Sequence, residues 1–289
     1  MHLIPPILRP PSEAGSILLQ VTTGCSHNRC SFCGMYKEKP FTIRCDEAVQ
    51  RAIAHAAGEH SDVNRAFLLD GDALIIAQPR LMEILHRIAR GLPWVRRVAC
   101  YASAKSIAAK SDEELAQLRG AGLTLVHMGL ESGDDETLRH VHKYGDSAFI
   151  VAQGKRAQAA GLKLFVTVIL GLGGVARSEV HARETARALS ALDPRYVGAL
   201  SLMLVDNTEL YRQCRDGTFE LPDARGLLGE LRELVGRLDV SACLFFSNHA
   251  SNHLSLQVRL PSQRDAAVRM VDEALNGARA LRAEWMRGL

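Results

Sequence analysis

Cys25, Cys30 and Cys33 lie within nine residues, in the run GCSHNRCSFC, with four and then two residues between successive thiols. Thiolates are soft ligands, and a loop this short can wrap three of them around one inorganic centre. Three chemistries compete for the set. Structural zinc takes four ligands and is usually built from two paired knuckles; His27 or Cys45 could be a fourth ligand, but no second pair exists. A redox dithiol at Cys30 and Cys33 would leave Cys25 without a role. An iron–sulfur cluster on three cysteines keeps one iron open to an outside ligand, which points to chemistry rather than to storage of electrons.

The other cysteines, Cys45, Cys100, Cys214 and Cys243, are scattered singly. An odd total of seven, in a chain whose first sixteen residues are proline-rich and lack the basic start and apolar core of an export signal, argues against a disulfide framework. No apolar run approaches the ~20 residues that would cross a bilayer, so no membrane partner is expected and a cytoplasmic location is. The 35 basic and 32 acidic residues give a net charge of +3. The basic residues are spread along the chain, which disfavours a nucleic-acid groove and fits a small-molecule pocket better.

The elements that must hold the cysteine loop alternate in type. Apolar runs suited to buried strands occupy residues 17–22, 65–70, 95–101, 123–130, 162–170 and 195–205. Helical stretches fall between them at 46–59, 79–90, from 111, 147–160 and 178–192. The third of these opens on a capping box, Ser111 with Glu114. Continuous apolar strands separated by helices imply an α/β protein with a parallel sheet covered on both faces. Six βα units form either a doubly wound sheet or a partial barrel, and in both the ligand chemistry belongs at the C-terminal strand ends. The unusual residues lie there: the cysteine loop, Gly71-Asp72, Glu131-Ser132-Gly133 and the glycine run 171–174. After residue 205 a helix is expected at 227–238, a short strand at 243–246 and a long amphipathic helix at 264–285.

Three cysteines after the first strand, with an aromatic residue, Phe32, just before the last, resemble the cluster loop of the radical S-adenosylmethionine (SAM) enzymes, whose usual spacing is three then two. Gly71-Asp72-Ala73-Leu74 stands where that family has a Gly-Gly-Glu-like motif, with Asp70 in place of the first glycine. MGLESGDDETL at 128–138, followed by Lys143 and Gly145, is similar to the corresponding segment of the branch that holds oxygen-independent coproporphyrinogen oxidases, methylthiotransferases and Elongator-type enzymes. ILGLGG at 169–174 and LVDNTELY at 204–211 are similar to two further motifs of that branch, and SNHASN at 247–252 resembles a signature of one of its groups.

The resemblance implies a partial (β/α)6 TIM-like barrel with a C-terminal α-rich extension. It divides the chain into an N-terminal extension (1–14), a radical SAM core (15–212) and an extension packed on it (213–289). Cys25, Cys30 and Cys33 would ligate an oxygen-sensitive [4Fe-4S] cluster whose open iron takes the amino and carboxylate groups of SAM. An electron from a low-potential donor of flavodoxin or ferredoxin type would cleave SAM to methionine and a 5′-deoxyadenosyl radical, which takes hydrogen from a substrate. Asp72, with Gly71, would hold the SAM ammonium; Glu131 and Ser132 a ribose hydroxyl or the amino group. Gly171 and Gly173 would let backbone approach the nucleoside, with Phe32 near adenine. The reading from another class is a zinc-stabilised, non-catalytic binding protein.

Overall fold

A computed structural model describes residues 3–288 as two compact units. One comprises residues 3–28, 35–128 and 153–164, the other residues 29–34, 129–152 and 165–288.

In the first unit β1 (Ile17–Gln20) leads through β2 (Thr22–Thr23), the cysteine-bearing chain and β3 (Thr42–Ile43) to α1 (Asp46–Glu59). Then come β4 (Arg65–Leu69), α2 (Gln78–Gly91), β5 (Arg97–Ala102), α3 (Ala104–Ala108), α4 (Asp112–Gly120) and the start of β6 (Leu123–Glu131). Strands β1, β4, β5 and β6 pair in that order, all parallel, and the short β2–β3 ladder is antiparallel. After Arg65 the β4 strand is apolar: Phe67, Leu68 and Leu69 are fully buried, and Phe67 meets the rings of Tyr101 on β5 and His127 on β6 edge-on. Helix α2 buries an apolar stripe of Leu81, Ile84, Leu85 and Ile88 and packs on α1 and α4. The capping box expected at Ser111 is formed, with Ser111 accepting from the Glu114 N–H. A second box at Ser103 opens α3, a helix too short to leave a periodic pattern.

The N-terminal segment is anchored by charge. Glu13 is fully buried, accepts from Arg97 at 2.7 and 2.8 Å and from Ser16 at 2.6 Å, and faces His127 at 3.5 Å. Burial works against its ionisation, but His127, Ser16 and Arg97 together hold its carboxyl below the usual range.

The second unit takes the end of β6, then α5 (Asp135–His140) and the start of α6 (Ser147–Ala159). Most of β7 (Lys163–Leu170), α7 (Gly174–Leu192), β8 (Tyr196–Ser201), α8 (Glu209–Arg215) and α9 (Ala224–Arg237) follow. β9 (Cys243–Phe246), β10 (Gln257–Leu260) and α10 (Arg264–Leu275) complete it. β8 pairs parallel with β7 and with β9, and β10 closes this set antiparallel to β9. The C-terminal extension thus adds strands as well as helices. The helix expected over residues 264–285 stops at Leu275: Gly277 turns left-handed at φ 76°, and the chain beyond runs irregularly so that Arg282 can donate to the carbonyls of His249, Ala250 and Asn252. The expected strand 195–205 likewise ends at Ser201, whose N–H and hydroxyl are taken by Ser251 and Asn252.

A buried polar chain ties the strand ends of this unit to the extension. Ser132, next after β6, sets its hydroxyl 2.7 Å from His181 Nδ1, and His181 Nε2 lies 3.0 Å from the Ile169 carbonyl on β7. A carbonyl can only accept, so Nε2 carries the proton and Nδ1 accepts from Ser132. Glu230 on α9, 2% exposed, takes the Gly171 N–H at 2.6 Å and the Ser178 hydroxyl at 2.6 Å. Burial pushes His181 down to about 4 and Glu230 up to about 7, the latter against the pull of Ser178 and Gly171.

Two predictions follow from these anchors. Glu13→Ala leaves the Arg97 guanidinium, 29% exposed, without its carboxylate and should lower stability in urea by about 1–3 kcal/mol; a loss below ~0.5 kcal/mol would mean that the segment is not anchored there. The second concerns pH. A lowered His181 contributes stability that is complete above its unfolded value and is lost as pH falls towards 4. A raised Glu230 contributes stability that is present below its unfolded value and is lost as pH rises towards 7. The two oppose one another in the native chain. In Glu230→Gln only the histidine slope survives, so the variant should gain on the native protein by on the order of 3 kcal/mol between pH 4.5 and 7. Parallel stability curves would refute the assignment.

Candidate functional site

Around Cys25 the first unit builds a turn that only glycine fits. Gly24 sits at φ 69°, and a Cβ there would meet the Lys39 carbonyl at 2.5 Å and the Pro40 carbonyl group at 2.9 Å. Its own carbonyl accepts from the Gly71 N–H at 3.0 Å, which draws the residue before Cys25 against the end of β4. Gly71 is equally confined: a Cβ there would lie 2.7 Å from the Tyr36 ring and 3.2 Å from Cys25 Cβ. Asn28 adopts a left-handed conformation at φ 44° and donates from its side chain to the Tyr36 carbonyl at 2.7 Å. Asparagine tolerates that conformation, so the four-residue interval is absorbed as a local turn.

Asp72 is fully buried beside this turn. Its Oδ2 accepts from the Ser26 and Ser103 hydroxyls, and its Oδ1 from the Ser103 N–H at 3.2 Å. Asp72 therefore joins the residue after Cys25 to the N-cap of α3, a link between positions 46 and 31 residues away that no local pattern announces.

In the second unit Cys30 to Gly34 is held from both sides. The Cys33 N–H turns back to the Cys30 carbonyl at 3.3 Å. Ser31 donates its N–H to Val141 and accepts at its carbonyl from Leu210, each at 3.0 Å. Phe32 packs on the apolar cluster of Val141, Leu172, Leu202, Leu210 and Phe219. Asn207 donates to the Gly34 carbonyl at 3.2 Å, and Thr208 caps α8 by accepting from Tyr211. The LVDNTELY stretch is thus a brace for this segment.

Glu131 ends β6 at φ 65°, left-handed for a residue with a side chain, and its Oε1 pairs with Lys143 Nζ at 2.8 Å. Such a conformation costs ~1–3 kcal/mol and persists where the surroundings require it. Ser132 supplies part of that requirement: its Oγ accepts from the Asp134 N–H at 3.0 Å while its proton goes to His181. Asp134 caps α5 through Thr137 and is gripped at both oxygens by Arg177, at 2.7 and 2.9 Å. Burial opposes its ionisation, but Arg177 and Thr137 outweigh it and pull its carboxyl down to about 2.

Gly171 and Gly173 face protein. A Cβ on Gly171 would meet Leu227 at 2.8 Å, and one on Gly173 would meet His181 Cβ at 2.9 Å. Their smallness lets α9 and α7 close over the end of β7. The roles of Lys39, Asp70, Asn207, His181 and Glu230 are not legible in the sequence because each acts on a partner far along the chain; the exchange of Gly for Asp at position 70 and the Thr208 cap of the LVDNTELY stretch leave a local trace.

Of the remaining cysteines, Cys45 is exposed at the N-cap of α1 and Cys214 is half-buried. Cys100 and Cys243 are buried; burial pushes the Cys100 thiol far up and that of Cys243 up to about 12, so neither supplies a thiolate. No helix of the described residues is long and apolar enough to cross a membrane.

Comparison with solved structures places the fold. Methylornithine synthase superposes with a TM-score of 0.55 at 16% identity, over 79% of this chain and 63% of its own. Coproporphyrinogen III oxidase from Escherichia coli gives 0.57 at 16%, over 76% and 51%, and the archaeal Elp3 of Methanocaldococcus infernus 0.54 at 12%, over 81% and 59%. The chain spans less than two thirds of the length of each, and at these identities the likeness establishes the mostly parallel α/β fold. No curated protein matches the chain in sequence. The family model described as the Radical SAM superfamily matches residues 19–185, more than half of the 289. With the cysteine turn at the end of its first strands and the strained glutamate at the end of β6, this chain belongs to the radical SAM superfamily, enzymes whose cofactors are a [4Fe-4S] cluster and SAM.

Proposed function

We propose that Cys25, Cys30 and Cys33 ligate the [4Fe-4S] cluster and that the enzyme uses SAM to abstract hydrogen from a small-molecule substrate. The observation that carries the reading is the donor set. The three loop thiols lie within nine residues of one another and are partly exposed, in contrast to the buried Cys100 and Cys243. When bound, the cluster supplies the electron that cleaves SAM to methionine and a 5′-deoxyadenosyl radical. That electron comes from a low-potential donor of flavodoxin or ferredoxin type.

The chain's own residues bind and orient. Glu131, turned from the strand path by its left-handed backbone, accepts from a ribose hydroxyl or the ammonium of SAM. Lys143 holds that carboxylate in place and Ser132 holds its backbone. Asp72 fixes the turn beside Cys25 through Ser26 and adds negative charge on the side where Gly71 offers its backbone to the ammonium. Phe32 excludes water from the loop by its packing. Gly171 and Gly173 act by letting α9 and α7 close over the end of β7.

Anaerobic reconstitution tests the reading. A brown protein with about four irons per chain is expected, which forms 5′-deoxyadenosine from SAM and reductant, and Cys30→Ala should abolish both. A colourless zinc protein after proper reconstitution would overturn the proposal. Glu131→Ala should raise the KM for SAM in the cleavage assay by about tenfold, the worth of one charge-assisted hydrogen bond. An unchanged KM would remove Glu131 from the SAM site.

A further inference from the structure

A buried ion pair lies on the chain that carries the cysteines, and neither partner has a part in the chemistry above. Asp70 is fully buried, Lys39 is 6% exposed, and Lys39 Nζ meets Asp70 Oδ2 at 2.6 Å. Taking both charges out of water costs about as much as their attraction returns, so such a pair is weak evidence for stability and better evidence for a specified geometry.

The geometry that it specifies is that of the cysteine loop. Asp70 Oδ2 accepts the N–H of Gly24, the residue before Cys25, at 3.1 Å. Lys39 lies six residues after Cys33, so one carboxylate holds the chain on both sides of the three thiols. Every other contact of the pair tightens the same hold. Gln20 Nε2 reaches both Asp70 oxygens, at 3.3 and 3.2 Å, and the Asp70 N–H donates to Thr22 Oγ1 at 2.9 Å. Lys39 donates to the carbonyls of Ile4 and Pro6 at 2.7 and 3.0 Å, so the proline-rich start of the chain satisfies its remaining protons. Just outside, β2 and β3 pair at Thr22–Ile43 and Thr23–Thr42.

We propose that Asp70 and Lys39 are positioning residues for the cluster loop: the pair fixes the chain just before Cys25 and just after the Cys33 segment, and through it cluster retention and the response of the cluster to SAM. The inference rests on the reading of Cys25, Cys30 and Cys33 as ligands.

The test compares reconstituted native protein with Lys39→Met, Asp70→Asn, the double variant and Lys39→Arg. Three quantities are read: the rate at which a chelator strips iron, the electron paramagnetic resonance spectrum of the reduced cluster with and without SAM, and the urea midpoint of the apoprotein. Both single variants should lose iron about tenfold faster or more, as substitutions behind metal ligands do, and their spectra should respond differently to SAM. Lys39→Arg should restore native retention. The double variant carries no unpaired charge, so it should recover the apoprotein midpoint yet still lose iron quickly; this separates positioning from mere support of the fold. If the single variants do not fold, the double variant and Lys39→Arg carry the comparison. Recovery of both midpoint and iron retention in the double variant, or native retention in the singles, overturns the proposal while leaving the cluster intact. A native protein that takes up no iron would overturn the ligand reading, and this inference with it.

Discussion

A parallel strand buried on both faces ends in backbone N–H groups that neither the sheet nor water satisfies, and each must find an acceptor where the chain turns away. In this protein buried carboxylates meet that demand. Asp70 takes the N–H of Gly24, Asp72 that of Ser103, Asp134 that of Thr137, and Glu230 that of Gly171. The N–H groups of Gly24, Ser103 and Gly171 leave strand ends and meet a carboxylate from another loop or from α9, whereas that of Thr137 lies in the first turn of α5 and is capped locally by Asp134. The loops that carry the unusual residues are therefore fixed by charge rather than by apolar packing alone.

Negative charge so deeply placed must itself be compensated, and the four sites do this differently. Asp70 has Lys39 and Asp134 has Arg177, each within 2.7 Å. Asp72 is served by hydroxyls and a backbone N–H. Among the described residues Glu230 takes hydrogen bonds from Ser178 and Gly171 without a cation, and burial pushes its carboxyl up. His181, 3.7 Å away, is held neutral by its own burial, against the pull of the Ile169 carbonyl to which it donates. The end of β7 is thus held by neutral hydrogen bonds and a weakly acidic carboxyl, whereas the cysteine turn is held by a full ion pair. A turn proposed to present ligands to a cluster gains from the stiffer arrangement, because ligand geometry sets affinity and potential.

Left-handed Glu131 fits the same logic. Lys143 holds its side chain, and Ser132, through His181, holds the backbone that follows it. A carboxylate placed this way costs no reorganisation when a ligand arrives, which is what an electrostatic contact needs to be effective.

Much of this was legible in the linear chain. The cysteine spacing, the alternation of buried strands with helices, the Ser111 cap and the ESG segment at a strand end are local patterns, and local patterns follow from the periodicity and chemistry of neighbouring residues. The partial α/β architecture and the family follow from their order. The extent of α10 was overestimated because its amphipathic stripe continues beyond Leu275, while Gly277 and the clamp of Arg282 on residues 249–252 end the helix. Tertiary structure alone decided the partners of the buried charges. Glu230 reaches Gly171 across 59 residues, Asp70 reaches Gly24 across 46, and His181 reaches Ser132 across 49. No periodicity links such positions. They meet because burial leaves each donor and acceptor with no water to turn to, and only the packed chain determines which remaining group is within reach.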